Sequence, residues 1–99
     1  MKNWYEEEYS FKITVISVGA NGEPENCRNG HEVCDTYTCE YGCPDGFCSK
    51  SMTKLFPLME AVRAEGYLSN LLSGASKYSG ELICPDGVVT FKLEAIRNE

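Results

Sequence analysis

The sequence predicts an α+β fold: a small, mostly antiparallel sheet of about four strands with one main helix, in the order β-β-α-β-β. Three observations predict it. Phe11-Lys12-Ile13-Thr14-Val15 and the stretch Val89 to Ala95 alternate apolar and polar residues, the period of a half-buried strand. Leu55, Met59 and Val62 recur at helical spacing. Loop residues separate these runs, so strands and helix follow one another in blocks.

The elements follow in order. The first strand starts at Phe11, and Ile16 and Val18 extend its apolar run. Gly19-Ala20-Asn21-Gly22-Glu23-Pro24 ends it with loop residues. His31 to Cys39 carries Val33, Thr36, Tyr37 and Thr38 and reads as a second strand. Tyr41 to Gly46 is a turn, in which Pro44 presets φ and Gly46 can adopt a positive φ. Ser49 or Ser51 suits a helix N-cap, and Gly66 suits the left-handed position after the helix. Pro57 interrupts that helix: either it bends there, or it starts late enough to hold Pro57 in its first turn. Tyr67 to Leu72 reads as a short helical turn ended by Gly74. Glu81 to Cys84 and Val88 to Ile96 read as a hairpin around Pro85-Asp86-Gly87. Val89, Phe91, Leu93 and Ala95 share one face of it, the second wall of the core.

The chain has 99 residues, which fits one domain. Residues 1–10 read as an acidic N-terminal arm and residues 11–97 as a single compact domain. The arm carries Glu6-Glu7-Glu8 in place of the apolar core of an export signal, so the sequence predicts a cytoplasmic protein. Fifteen acidic residues outweigh nine basic ones, for a net charge of −6. The basic residues are scattered with no run of three, which argues against nucleic acid and against anionic membrane surfaces as partners. The longest apolar stretch, Ile13 to Ala20, is under half of the roughly 20 residues a membrane span needs.

Cysteine is the compositional outlier, at six residues: Cys27, Cys34, Cys39, Cys43, Cys48 and Cys84. In a secreted chain that count suggests three disulfides; in a reducing cytosol it points to metal or catalytic thiols. No pair forms Cys-x-x-Cys, which counts against a thioredoxin-type dithiol and against a zinc ribbon of two such knuckles. The gap from Cys34 to Cys39 matches the start of a plant-type iron–sulfur run, but the next gap, to Cys43, is one residue too long. Cys-Pro-Asp-Gly occurs twice, at 43–46 and 84–87. A cysteine entering such a turn can receive the turn's amides on its sulfur, which stabilises the thiolate. His31, the only histidine, forms Cys-x-x-x-His with Cys27, and thiolate with imidazole is a usual zinc donor pair.

Four segments together resemble a known family. They are Gly30-His31-Glu32-Val33-Cys34-Asp35-Thr36-Tyr37, Pro44-Asp45-Gly46-Phe47-Cys48, Leu55-Phe56-Pro57, and Cys84-Pro85-Asp86-Gly87-Val88-Val89-Thr90-Phe91-Lys92-Leu93-Glu94. They resemble, in turn, Gly-His-Lys-Val-Gly-Asp-x-Phe, Pro-Glu-Gly-Leu/Phe-Cys, Leu/Ile-Tyr-Pro and Cys-Pro-Asp-Gly-x-x-x-Val-Phe-Lys-Leu-Glu. These segments mark a family of very small uncharacterised bacterial and archaeal proteins, frequent in anaerobes. The resemblance runs from about Phe11 to Ile96. It implies that Cys27, Cys48, Cys84 and His31 form one set, because they stand where that family has cysteine and histidine. Cys34 stands where the family has glycine, and Cys39 and Cys43 have no counterpart there, which leaves these three as secondary thiols.

Three functions follow as expectations. The first is a metal site, zinc before other ions, held by Cys27, His31, Cys48 and Cys84. A closed site of this kind would be structural, and an open fourth position would be catalytic. The second is thiol redox chemistry centred on Cys48, with His31 as base and Cys34, Cys39 and Cys43 as resolving thiols. The third is a non-catalytic interaction module, a homo-oligomer or the partner of another protein, with its cysteines packed as small hydrophobes.

Overall fold

A computed structural model of the chain describes residues 8–19 and 26–98. The residues of the acidic arm before Glu8, and positions 20–25 of the loop after the first strand, lie outside them.

Alternating side chains make β1 (Tyr9–Val18) and β4 (Val89–Arg97), which pair antiparallel along their whole length from Tyr9 opposite Arg97 to Val18 opposite Val89. β2 (Thr36–Cys39) adds to the outer edge of β1 and β3 (Ser79–Ile83) to the outer edge of β4. The sheet is therefore antiparallel throughout, in the order β2-β1-β4-β3. With α1 (Ser49–Arg63) between β2 and β3, the element order is the predicted β-β-α-β-β.

One sheet face is the core. Phe11, Ile13 and Val15 of β1 and Val89, Phe91 and Leu93 of β4 are buried on it. A β-bulge between Val15 and Ser17 inserts one residue, which sends Ile16 outward and returns Val18 to the core. α1 covers this face with Met52, Leu55, Met59 and Val62. The strand face predicted for β4 is thus the observed wall of the core.

Several boundaries differ from the sequence reading, each for a local reason. β1 begins at Tyr9, inside the stretch read as the arm, because Tyr9 is buried and stacks on Tyr78. β2 is only the end of the predicted His31–Cys39 strand. A turn takes the earlier residues: the Glu32 amide donates to the Asp35 carboxylate at 2.9 Å, and Cys34 sits in the left-handed region at φ +77°. Cys48, rather than either serine, is the N-cap of α1, and no side chain caps its amides. Pro57 lies in the interior of α1. The 3₁₀ turn Leu68–Asn70 and the hairpin at Pro85-Asp86-Gly87 occur where predicted, with Gly74 at φ +75° and Gly87 at φ +76°.

Candidate functional site

Three segments distant in sequence meet at one end of the sheet. The loop after β1 supplies Cys27, the N-cap of α1 supplies Cys48, and the β3–β4 hairpin supplies Cys84. All three line a single cavity of about 300 Å³, together with Arg28, Asn29, Lys50, Ser51 and Asp86. The fold thus brings together the three cysteines that the family resemblance grouped. Direct bonds tie the segments. Lys50 Nζ donates to Asp86 Oδ1 at 2.5 Å, and Lys54 Nζ donates to the Ile83 carbonyl at 2.6 Å, so the start of α1 is fastened to the hairpin. Asn29 Nδ2 donates to the Gly46 carbonyl at 2.8 Å, which fastens the Cys27 loop to the turn leading into Cys48.

Cys84 has the most distinctive electrostatics. Its sulfur accepts the amides of Val89 at 3.3 Å and Val88 at 3.4 Å. Burial alone would push this thiol up. The amides of Val89, Val88, Asp86 and Gly87 together outweigh burial, and the thiol sits below its ordinary value. The second copy of the tetrapeptide does the reverse. The Cys43 sulfur faces the carbonyls of Pro44 at 3.7 Å and Phe47 at 3.9 Å, so it meets acceptors. Burial, then Cys48 and Asp45, pushes that thiol up. Cys39 is buried, donates to the Gly42 carbonyl at 2.9 Å, and is likewise pushed up by burial against a smaller lowering by Arg63. Cys34 is exposed. None of these three secondary thiols lines the cavity.

His31 occupies a different place. It is buried inside an aromatic cluster, with Tyr37, Phe47 and Phe91 at ring-centroid distances of 5.4, 5.3 and 5.7 Å. Asn29 Nδ2 stands 3.3 Å from Nε2, and Tyr37 Oη stands 3.0 Å from Nδ1. An amide nitrogen can only donate, so Nε2 accepts and the proton sits on Nδ1, facing Tyr37. Burial holds the imidazole below its ordinary value, with Asp35 opposing in part. The ring therefore has no lone pair to offer the cavity while these bonds last. Through Asn29 it braces the loop that carries Cys27.

Three thiols line the cavity, one of them biased toward thiolate. Their side chains are not preset for a metal ion. Among the described residues, no group of three His, Cys, Asp or Glu side chains is arranged to hold a metal ion. Sequence reasoning missed Arg28, Asn29, Lys50 and Ser51. The available signal was proximity, since Arg28 adjoins Cys27 and Lys50 and Ser51 follow Cys48 at the helix start.

No helix among the described residues is long and apolar enough to cross a membrane. No protein family, no curated protein and no solved structure matches the chain significantly.

Proposed function

We propose that this protein works through a thiolate centre at the cavity, and that its ligand is a thiophilic metal ion of the zinc class held by Cys27, Cys48 and Cys84. The observation that carries this reading is the convergence of those three cysteines on one cavity, with turn amides aimed at the Cys84 sulfur. A shared ion would require the three thiols to turn toward a common centre. Bonds near 2.3 Å to a shared ion would then cross-link the β1–β2 loop, α1 and the hairpin. His31 takes the role of a brace rather than a ligand, so the fourth position is left to water or to a small exogenous donor. Six free cysteines accord with a reducing, cytoplasmic setting.

A second reading rests on a specific observation. Amides that favour the Cys84 thiolate also favour its nucleophilic form. Thiol chemistry would then centre on Cys84 rather than Cys48.

Metal analysis of protein purified without added metal, followed by cobalt titration, separates the two. One ion per chain, a thiolate-to-cobalt charge-transfer band, and loss of both in Cys84→Ser are expected for the metal centre. No stoichiometric uptake, together with selective alkylation of Cys84, would overturn it in favour of the nucleophile.

A further inference from the structure

The three thiols of the cavity come from three segments and are not equivalent. Cys84 is buried, at 9% exposure, and still lines the cavity. The amides of Val89 and Val88 donate to its sulfur at 3.3 and 3.4 Å, so negative charge on that sulfur is stabilised by the fold itself. Cys27 and Cys48 are half-buried and line the same cavity. Cys34, by contrast, is exposed and lies outside it.

The bonds between segments favour one partner for Cys84. Lys50, two residues after Cys48, pairs with Asp86, two residues after Cys84, at 2.5 Å. Lys54, one helical turn further on, donates to the carbonyl of Ile83, the residue before Cys84, at 2.6 Å. Both ties hold the start of α1 against the hairpin that carries Cys84. The Asn29 amide, by contrast, fastens the Cys27 loop to the Gly46 carbonyl, in the turn before Cys48. A buried sulfur on a cavity of about 300 Å³ is also selective for size: it admits a small oxidant and holds off a bulky disulfide or a peptide.

We propose that Cys84 reduces a small hydroperoxide, hydrogen peroxide above all, and that Cys48 resolves the product as a Cys48–Cys84 disulfide. The proposal rests on the thiolate centre described above and names a substrate class for its metal-free form. The Cys84 sulfur attacks one peroxide oxygen. An S–O bond forms as the O–O bond breaks, and the departing hydroxide takes a proton from solvent. The Cys48 sulfur then attacks the sulfenic acid left on Cys84. The S–S bond forms, the S–O bond breaks, and hydroxide leaves with the Cys48 proton as water. Two thiols have lost two electrons, and one hydrogen peroxide has become two waters. A low-molecular-weight thiol resets the pair by exchange.

The test adds one equivalent of hydrogen peroxide to the metal-free, fully reduced chain and maps the products by mass spectrometry. Cys84 is expected to react about tenfold faster than the exposed Cys34, the factor that one hydrogen bond to a charged group supplies. The chain should lose two hydrogens and yield a linked Cys48–Cys84 peptide. In Cys48→Ser the sulfenic acid should persist on Cys84 long enough for dimedone to label it, which reads the first step without the disulfide. Linkage of Cys84 to another cysteine, or oxidation of Cys34 ahead of Cys84, would overturn the proposal. Iodoacetamide in parallel separates two kinds of failure. Alkylation of Cys84 ahead of Cys34, with no disulfide from peroxide, defeats this reaction alone. No preference for Cys84 with either reagent defeats the thiolate centre as well.

Discussion

Cys43 and Cys84 open the same tetrapeptide, yet their sulfurs meet opposite backbone groups. After Cys84 the chain turns straight into β4, and the hairpin folds the amides of Val88 and Val89 back over the sulfur. After Cys43 the turn runs on toward α1 and leaves carbonyls near the sulfur. Backbone direction beyond the motif, rather than the motif, decides which thiol is acidic. Peptide-mapped alkylation with iodoacetamide across pH checks this. The pH of half-maximal rate for Cys84 is expected below that of an ordinary thiol, and that for Cys43 above it; a common midpoint would contradict the assignment. The repeated motif was visible in the sequence, but this difference was not, because it depends on where the strand after the second copy goes. Cys34 gives the converse case. The family resemblance has glycine at its position, and the observed φ of +77° is the region glycine favours.

At the scale of elements, α1 keeps its helical course through Pro57 in its interior. The ring removes the amide that would reach the Thr53 carbonyl, at a cost of about 3 kcal/mol in an exposed helix interior. Pro57 is exposed, so its side chain returns little by packing. Pro57→Ala should therefore stabilise the protein by about 1–3 kcal/mol, read as a higher urea midpoint at unchanged slope. Tertiary packing explains how the helix tolerates the proline: Leu55 and Met59, on either side of it, are both fully buried. The helix terminus shows a second tertiary override. The sequence put Gly66 at the left-handed position, but Glu65 holds it at φ +67°, with its carboxylate toward Tyr9 Oη at 3.4 Å and Arg97 at 3.6 Å. Gly66 follows and donates to the Ala61 carbonyl at 2.8 Å, closing the six-to-one bond of a Schellman motif. A Cβ at Gly66 would stand 2.8 Å from that same oxygen, which is why glycine is needed one place later than local rules put it.

For the whole molecule, alternation and turn chemistry made the four strands and the helix legible, because both are local signals. The site was legible only in part. The family resemblance grouped three of its members, whereas Lys50 and Ser51 reach the cavity through the docking of α1 against the hairpin, which no spacing encodes. The family resemblance and the Cys-x-x-x-His spacing placed His31 with the ligands; the aromatic cluster around it draws on Tyr37, Phe47 and Phe91 from three separate segments. The pairing of β1 with β4 puts the sheet's centre between segments from opposite ends of the described chain. Amide hydrogen exchange should show this. The slowest exchange is expected at Phe11 to Val15 and Phe91 to Leu93, with the edge strand β2 measurably faster. Equal protection across all four strands would contradict it.

That central pairing also sets an order of events during synthesis. β1 leaves the ribosome first, but its principal partner is the last strand made, so the sheet cannot close until nearly the whole domain has emerged. Cys27 and Cys48 are exposed to the cell throughout this interval. Cys84 arrives with the hairpin that completes the sheet, so the cavity gains its acidic thiol at the moment the fold becomes able to shield it.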